Sequence, residues 1–191
     1  MATPDPASNS PTTNDPRLLA FGTVVPQVPS DCFVADTARV IGDVQLGPQC
    51  SLWWGAVVRG DVMWIRLGAR VNVQDLSVLH VTSKKHPTTV GDDVTIGHRA
   101  ILHGCAVEPR ALIGMGAIVM DGAVVGEQAM VGAGALVAPG MIIPPRMLAL
   151  GSPAKVVRAL RDDELAYLGQ SALHYSQLAA TYLAGGIGKV A

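Results

Sequence analysis

Aliphatic residues recur with a period of six over most of this chain, at Val34, Val40, Leu46, Leu52 and Val58, then at Leu67, Val73 and Leu79. The series resumes at Val90, Ile96, Leu102, Val107, Ile113, Val119, Val125, Val131, Val137 and Ile143. Four positions after each member stands a small or aliphatic residue, such as Ala38, Cys50, Ala56, Ala100, Ala111 or Ala117, and glycine often follows the aliphatic directly. A period of six fits neither an amphipathic helix nor a flat strand. It fits a triangular coil whose short sides each point one aliphatic inward and turn on a small residue. Three sides take eighteen residues, so residues 34–148 predict about six coils stacked at roughly 4.8 Å, the separation of neighbouring strands.

Three steps break the rhythm: nine residues from Val58 to Leu67, eleven from Leu79 to Val90 and five from Leu102 to Val107. The eleven-residue step holds V-T-S-K-K-H-P-T-T, read as a polar loop expelled from the coil. Interruptions of a repeat mark a candidate functional face.

The organisation that follows is a disordered tail over 1–16, a β-helix domain over 17–155 and a helical segment over 156–191. The tail is polar and proline-rich, with no apolar run for a signal peptide or membrane anchor. In the last segment Asp162 is the expected N-cap, with Asp163 and Glu164 in the first turn. Leu165, Leu168, Ala172, Tyr175, Leu178 and Tyr182 then fall on one face before Gly185 and Gly186 end the helix.

Composition supports thin repeated layers: aromatic residues are only 4% of the chain while hydrophobic residues are 49% and glycines number 21. A net charge of −1 gives no reason to expect nucleic acid or an acidic membrane as partner. The three cysteines, Cys32, Cys50 and Cys105, form no C-x-x-C pair and read as buried thiols in a reducing cytoplasm.

Counting repeats places the candidate chemistry. Leu79 and Leu102 are three hexads apart, so His80 and His103, each one residue later, lie one above the other. Imidazoles separated by about 4.8 Å can converge on one ion at about 2.0–2.1 Å from each nitrogen. His98 falls near another corner and cannot easily reach that ion in its own chain. In a three-fold trimer a neighbour's His98 can complete the set, leaving a fourth position for water, as in catalytic zinc sites. By the same counting Arg59 lies one layer below His80, and Asp75 one layer below His98, with Gln74 beside it.

The stretches V-V-R-G-D, N-V-Q-D, V-L-H and I-G-H-R-A-I-L-H-G-C, with the later G-S-P-A-K-V-V-R-A-L, resemble the γ-class carbonic anhydrases and their bacterial homologues, which are hexapeptide-repeat proteins. The resemblance implies an all-β, left-handed parallel β-helix with a C-terminal α-helix, assembled as a homotrimer. It implies zinc, or alternatively iron or cobalt, held by His80 and His103 of one chain and His98 of the next. It assigns Gln74 to a hydrogen bond with a metal-bound hydroxide, Arg59 and Asp75 to an ion pair near the site, Asp61 to supporting Arg59 or the interface, and Asn72 to the substrate pocket. Tyr175, in S-A-L-H-Y, matches a tyrosine bordering that pocket. The implied reaction is reversible hydration of carbon dioxide to bicarbonate, because three neutral imidazoles leave a metal's charge free to acidify its water.

Two positions depart from the family: Val62 follows Asp61 where a glutamate is usual, and the loop after the first histidine carries no carboxylate. His86 in that loop is a residue of a type suited to proton transfer, although a solvated role is its simpler reading. The competing activities are a hexapeptide-repeat acyltransferase, and a metal-binding scaffold or thioesterase-like homologue with little hydratase activity.

Overall fold

The structure, a computed structural model, describes residues 14–185; residues 1–13 of the expected tail, and Gly186 onward, lie outside them. Short parallel strands wind around a prism with three faces. The first face stacks Phe33–Val34, Ser51–Leu52, Asn72–Val73, Thr95–Ile96, Leu112–Ile113, Met130–Val131 and Met147–Leu150. On the second, Leu18, Val40, Val58, Leu79, Leu102, Val119 and Val137 are in register one above another. Leu46, Leu67, Val90, Val107, Val125 and Ile143 stack in the third. The chain therefore makes about seven turns rather than six. Leu18–Leu19 adds a layer beneath the expected start, paired in parallel with Val40 and Ile41.

The predicted inward aliphatics form the core, and nearly all are completely buried. Each gains roughly 2 kcal/mol from leaving water, and the alanines between them let the chain turn without a void. Two longer strands, Arg39–Leu46 and Val57–Leu67, run round one corner without a break. Between them the pairing shifts, from Gly42 opposite Gly60 to Val44 opposite Ile65. That shift accommodates the nine-residue step, and residues 61–64 bulge outward at the second face's edge. The eleven-residue step is likewise expelled, as a turn closed by antiparallel pairing of Thr82 with His86.

Helix Asp162–Leu183 starts near the top of the stack and runs back toward its base. Its N-cap is Arg161 rather than Asp162. The Glu164 carboxylate accepts a 2.8 Å hydrogen bond from the Arg161 backbone N–H, which moves the start one residue forward and puts Asp162 in the first turn. Leu168, Ser171, Ala172 and Ala179 face the prism. At the base Tyr175 and Tyr182 join Phe33, Trp53 and Trp54 in a ring cluster with centroids 5.2–5.9 Å apart. The sparse aromatic residues thus fasten the helix instead of filling the prism. At the top, Lys155–Ala159 pairs antiparallel with Met147–Leu150 and ends the parallel stack. No helix among the described residues is long and apolar enough to cross a membrane.

Candidate metal centre and adjoining groove

Strands Val78–His80 and Ile101–His103 pair so that His103 lies directly over His80 at the outer edge of the second face. His80 Nδ1 and His103 Nε2 are 3.1 Å apart. The other nitrogen of each ring meets a carboxylate: His80 Nε2 lies 3.0 Å from Asp61 Oδ1, and His103 Nδ1 lies 3.1 Å from Asp121 Oδ1. Asp61 comes from the bulge made by the nine-residue step and also accepts a close hydrogen bond from the Arg59 guanidinium. Burial pushes the Asp61 carboxyl up, but hydrogen bonds from His80 and Arg59 and the guanidinium charge outweigh it, so its pKa lies below the usual range. Asp121 is held low in the same way, hydrogen bonds to Thr82 and His103 overcoming its burial.

The expelled loop is tied to the His80 layer and to Asp121, the carboxylate beside His103. Thr82 Oγ1 donates to Asp121 Oδ1, and Thr88 Oγ1 donates to the His80 carbonyl at 2.6 Å. Gly104, at φ +56°, makes room for these contacts. A Cβ there would stand 2.3 Å from Asp121 Oδ1 and 2.7 Å from His86 Cβ. His86 itself is half-buried, its ring beside Gly122, rather than free in solvent.

This donor set fits a zinc-like ion. Two imidazole nitrogens on a tetrahedral ion at about 2.0–2.1 Å stand about 3.3 Å apart, close to the 3.1 Å between these rings. A carboxylate on each ring's far nitrogen is the usual outer partner of a metal-ligating histidine, fixing tautomer and ring orientation.

His98 is at the opposite edge of the prism, where Thr95–Ile96 ends, with Nδ1 2.8 Å from Asp75 Oδ2. Among the described residues of one chain, no three His, Cys, Asp or Glu side chains gather around a common point. Of the three expected ligands, the chain brings two together and keeps the third apart.

Around His98 lies a groove of about 420 Å³ between the first face and the helix, lined by Gln74, Thr95, Met115, Ser171 and Tyr175 among others. Gln74 is nearly buried; its Oε1 accepts from the His98 backbone N–H at 3.2 Å and its Nε2 donates to Asn72 Oδ1 at 3.2 Å. Asn72, fully buried two residues earlier in the same layer, donates to Thr95 Oγ1 of the next layer at 2.9 Å, and Thr95 shares a 2.9 Å hydrogen bond with Ser171 of the helix. Tyr175 packs edge-on against Trp53, and burial pushes its phenol up, with Tyr167 and Asp75 adding to the shift. Arg59 and Asp75 do not touch within one chain: the first pairs with Asp61, the second with His98. A larger groove of about 580 Å³ at the remaining edge is lined by Gly47, Gly68 and Gly91, with Arg66, Thr89 and Glu108 among its polar residues.

Sequence reasoning did not identify Asp121, Thr82 or Thr88. The one available signal was the shortened step after Leu102, which marks the corner where Gly104 admits the Asp121 carboxylate.

No model of a known protein family matches the chain. Individual relatives do. A carbonic anhydrase from Geobacillus kaustophilus is 50% identical over 140 residues, 73% of this chain and 76% of that protein. The mitochondrial gamma carbonic anhydrase 1 of Arabidopsis thaliana is 48% identical over 83% of this chain, which spans 60% of that protein's length. Among solved structures, a hexapeptide transferase family protein from Anaplasma phagocytophilum superposes with a TM-score of 0.83 and 43% identity, covering 86% of this chain and 97% of that one. Paired imidazoles on a hexapeptide-repeat prism, together with this degree of identity, give one conclusion: the chain belongs to the γ-carbonic anhydrase family.

Proposed function

We propose that the chain forms a homotrimer that hydrates carbon dioxide reversibly to bicarbonate, with a zinc ion at each subunit contact held by His80, His103 and a neighbouring copy's His98. The observation that carries this reading is the convergence of His80 Nδ1 and His103 Nε2 at 3.1 Å, each ring backed by a carboxylate. The chemistry the metal supplies when bound is the release of a proton from water near neutral pH, which yields a nucleophile; iron or cobalt would supply it too.

The chain's own residues orient the reactants. Register supplies one contact: with His80 meeting a neighbour's His98 in one layer, Arg59 and the neighbour's Asp75 meet in the layer below. Both are partly exposed, at 41% and 37% of the side chain, so each can add this pairing to the one it makes within its own chain. Gln74, fixed by His98 and Asn72, keeps one Nε2 hydrogen for an oxygen of bicarbonate. Asn72 acts through Gln74, and Tyr175 closes the groove against water. The buried free thiols suit a reducing compartment such as the cytoplasm; burial pushes Cys105 up to about 12, leaving it protonated and unreactive.

Stopped-flow measurement of carbon dioxide hydration on zinc-replete protein tests the reading. His103→Ala should lower the rate at least about a hundredfold, because the ion loses a ligand outright rather than an outer partner. Equal rates in the two proteins would reject catalysis at this centre. Acyl transfer, suggested by the transferase name of the Anaplasma protein, predicts instead saturable binding of acetyl-coenzyme A that survives His103→Ala.

A further inference from the structure

We propose that Asp121 is a positioning residue for metal capture: anchored by Thr82, it holds the His103 ring with Nε2 turned toward His80. This rests on the metal-centre reading above and adds to it a residue that the repeat pattern did not single out. Asp121 Oδ1 accepts from both Thr82 Oγ1 and His103 Nδ1, and the Asp121 main chain is fixed by a 2.9 Å hydrogen bond from Gly140 N–H to its carbonyl.

Two departures from the six-residue rhythm create this arrangement. The five-residue step places Gly104 where any Cβ would strike the carboxylate. The eleven-residue step delivers Thr82, and its other end returns through Thr88 to the His80 carbonyl. The loop thereby links the His80 layer to the carboxylate that holds His103. Without the carboxylate, the His103 ring can turn about χ2 and present the wrong nitrogen, so an entering ion would have to reorder it. With it, the ring is oriented before the ion arrives, and its far N–H is held in the tautomer that leaves Nε2 free to ligate.

The test is metal affinity, measured by chelator competition with Zn²⁺ and by Co²⁺ titration of the metal-stripped full-length protein, whose visible spectrum reports ligand geometry. Asp121→Ala should weaken both metals by about 10- to 100-fold and alter the Co²⁺ bands. Asp121→Asn, which keeps the acceptor oxygen, should restore most of the affinity, and Thr82→Val should weaken binding by a few-fold. Wild-type affinity and spectrum in Asp121→Ala would overturn the proposal while leaving the metal centre intact. If Asp121→Ala does not fold, Thr82→Val decides, and undiminished affinity there overturns it. Failure of the unaltered protein to bind Co²⁺ or Zn²⁺ would remove the functional reading and this proposal together.

Discussion

Equimolar His98→Ala and His103→Ala chains, unfolded and refolded together with zinc, should regain about a quarter of the wild-type hydration rate, although each alone stays at least about a hundredfold below it. The expectation follows from the separation of the ligands. His80 and His103 share one edge of the prism while His98 occupies another, and among the described residues of one chain no third donor joins the pair. In a cyclic trimer of two kinds of subunit, the contact at which an intact His80–His103 pair meets an intact His98 occurs once. Random reassembly makes about three quarters of the trimers mixed, each with one working site of three. Size-exclusion chromatography of the refolded material establishes that the trimers formed. Absence of any recovery in mixed trimers, or full activity of His98→Ala by itself, would sink the shared-site reading.

Gly91→Ala is expected to be among the most damaging small substitutions in the stack. A Cβ at that position would lie 2.6 Å from Pro109 N and 2.7 Å from its Cδ in the next layer, and the proline ring cannot move aside. Adjacent layers are fixed by hydrogen bonds on both sides, here Gly91 N–H to the Val107 carbonyl at 2.8 Å, so they cannot separate locally. Overpacking of this kind costs on the order of 3 kcal/mol, and for a chain of this size the melting temperature should fall by roughly 10 °C. Gly116→Ala is the control: its φ is +67° but nothing lies within 4 Å of the added carbon. Only backbone strain remains, about 1 kcal/mol, or about 3 °C. Calorimetry distinguishes them, and a Gly91→Ala protein that melts no lower than Gly116→Ala would refute this account of the glycine column.

The repeat was legible because one physical constraint recurs in every layer: the prism interior admits a single aliphatic per side. Val58, Leu79 and Leu102 could therefore be aligned by counting alone, and with them Arg59, His80 and His103. Corners obey no such constraint. Asp121 follows Val119 by two residues, yet its contact with His103 depends on how the chain turns at Gly104, which a count of hexads does not contain. Asp61 was among the partners expected for Arg59, whereas the pairing of Asp75 with His98 was hidden for a similar reason. Asp61 stands on a bulge of the long second-face strand, and Asp75 meets His98 through side-chain direction rather than register alone. At the base, Leu18–Leu19 escaped notice because residues 20–32 separate it from the regular series. At the helix start, arginine is a poor capping residue by type, and the effective group was the Glu164 carboxylate three positions on.

A column of parallel strands has no intrinsic length, since its last rung presents the same unpaired amides as every rung before it. Here the returning segment Lys155–Ala159 reverses direction on that rung and turns mostly exposed residues outward, Lys155 and Arg158 among them. A second prism approaching end-on meets Lys155, the Arg158–Glu164 ion pair and a backbone of opposite polarity instead of a matching template. Such a terminus disfavours end-on growth at this face of the stack and leaves lateral association as a route to assembly.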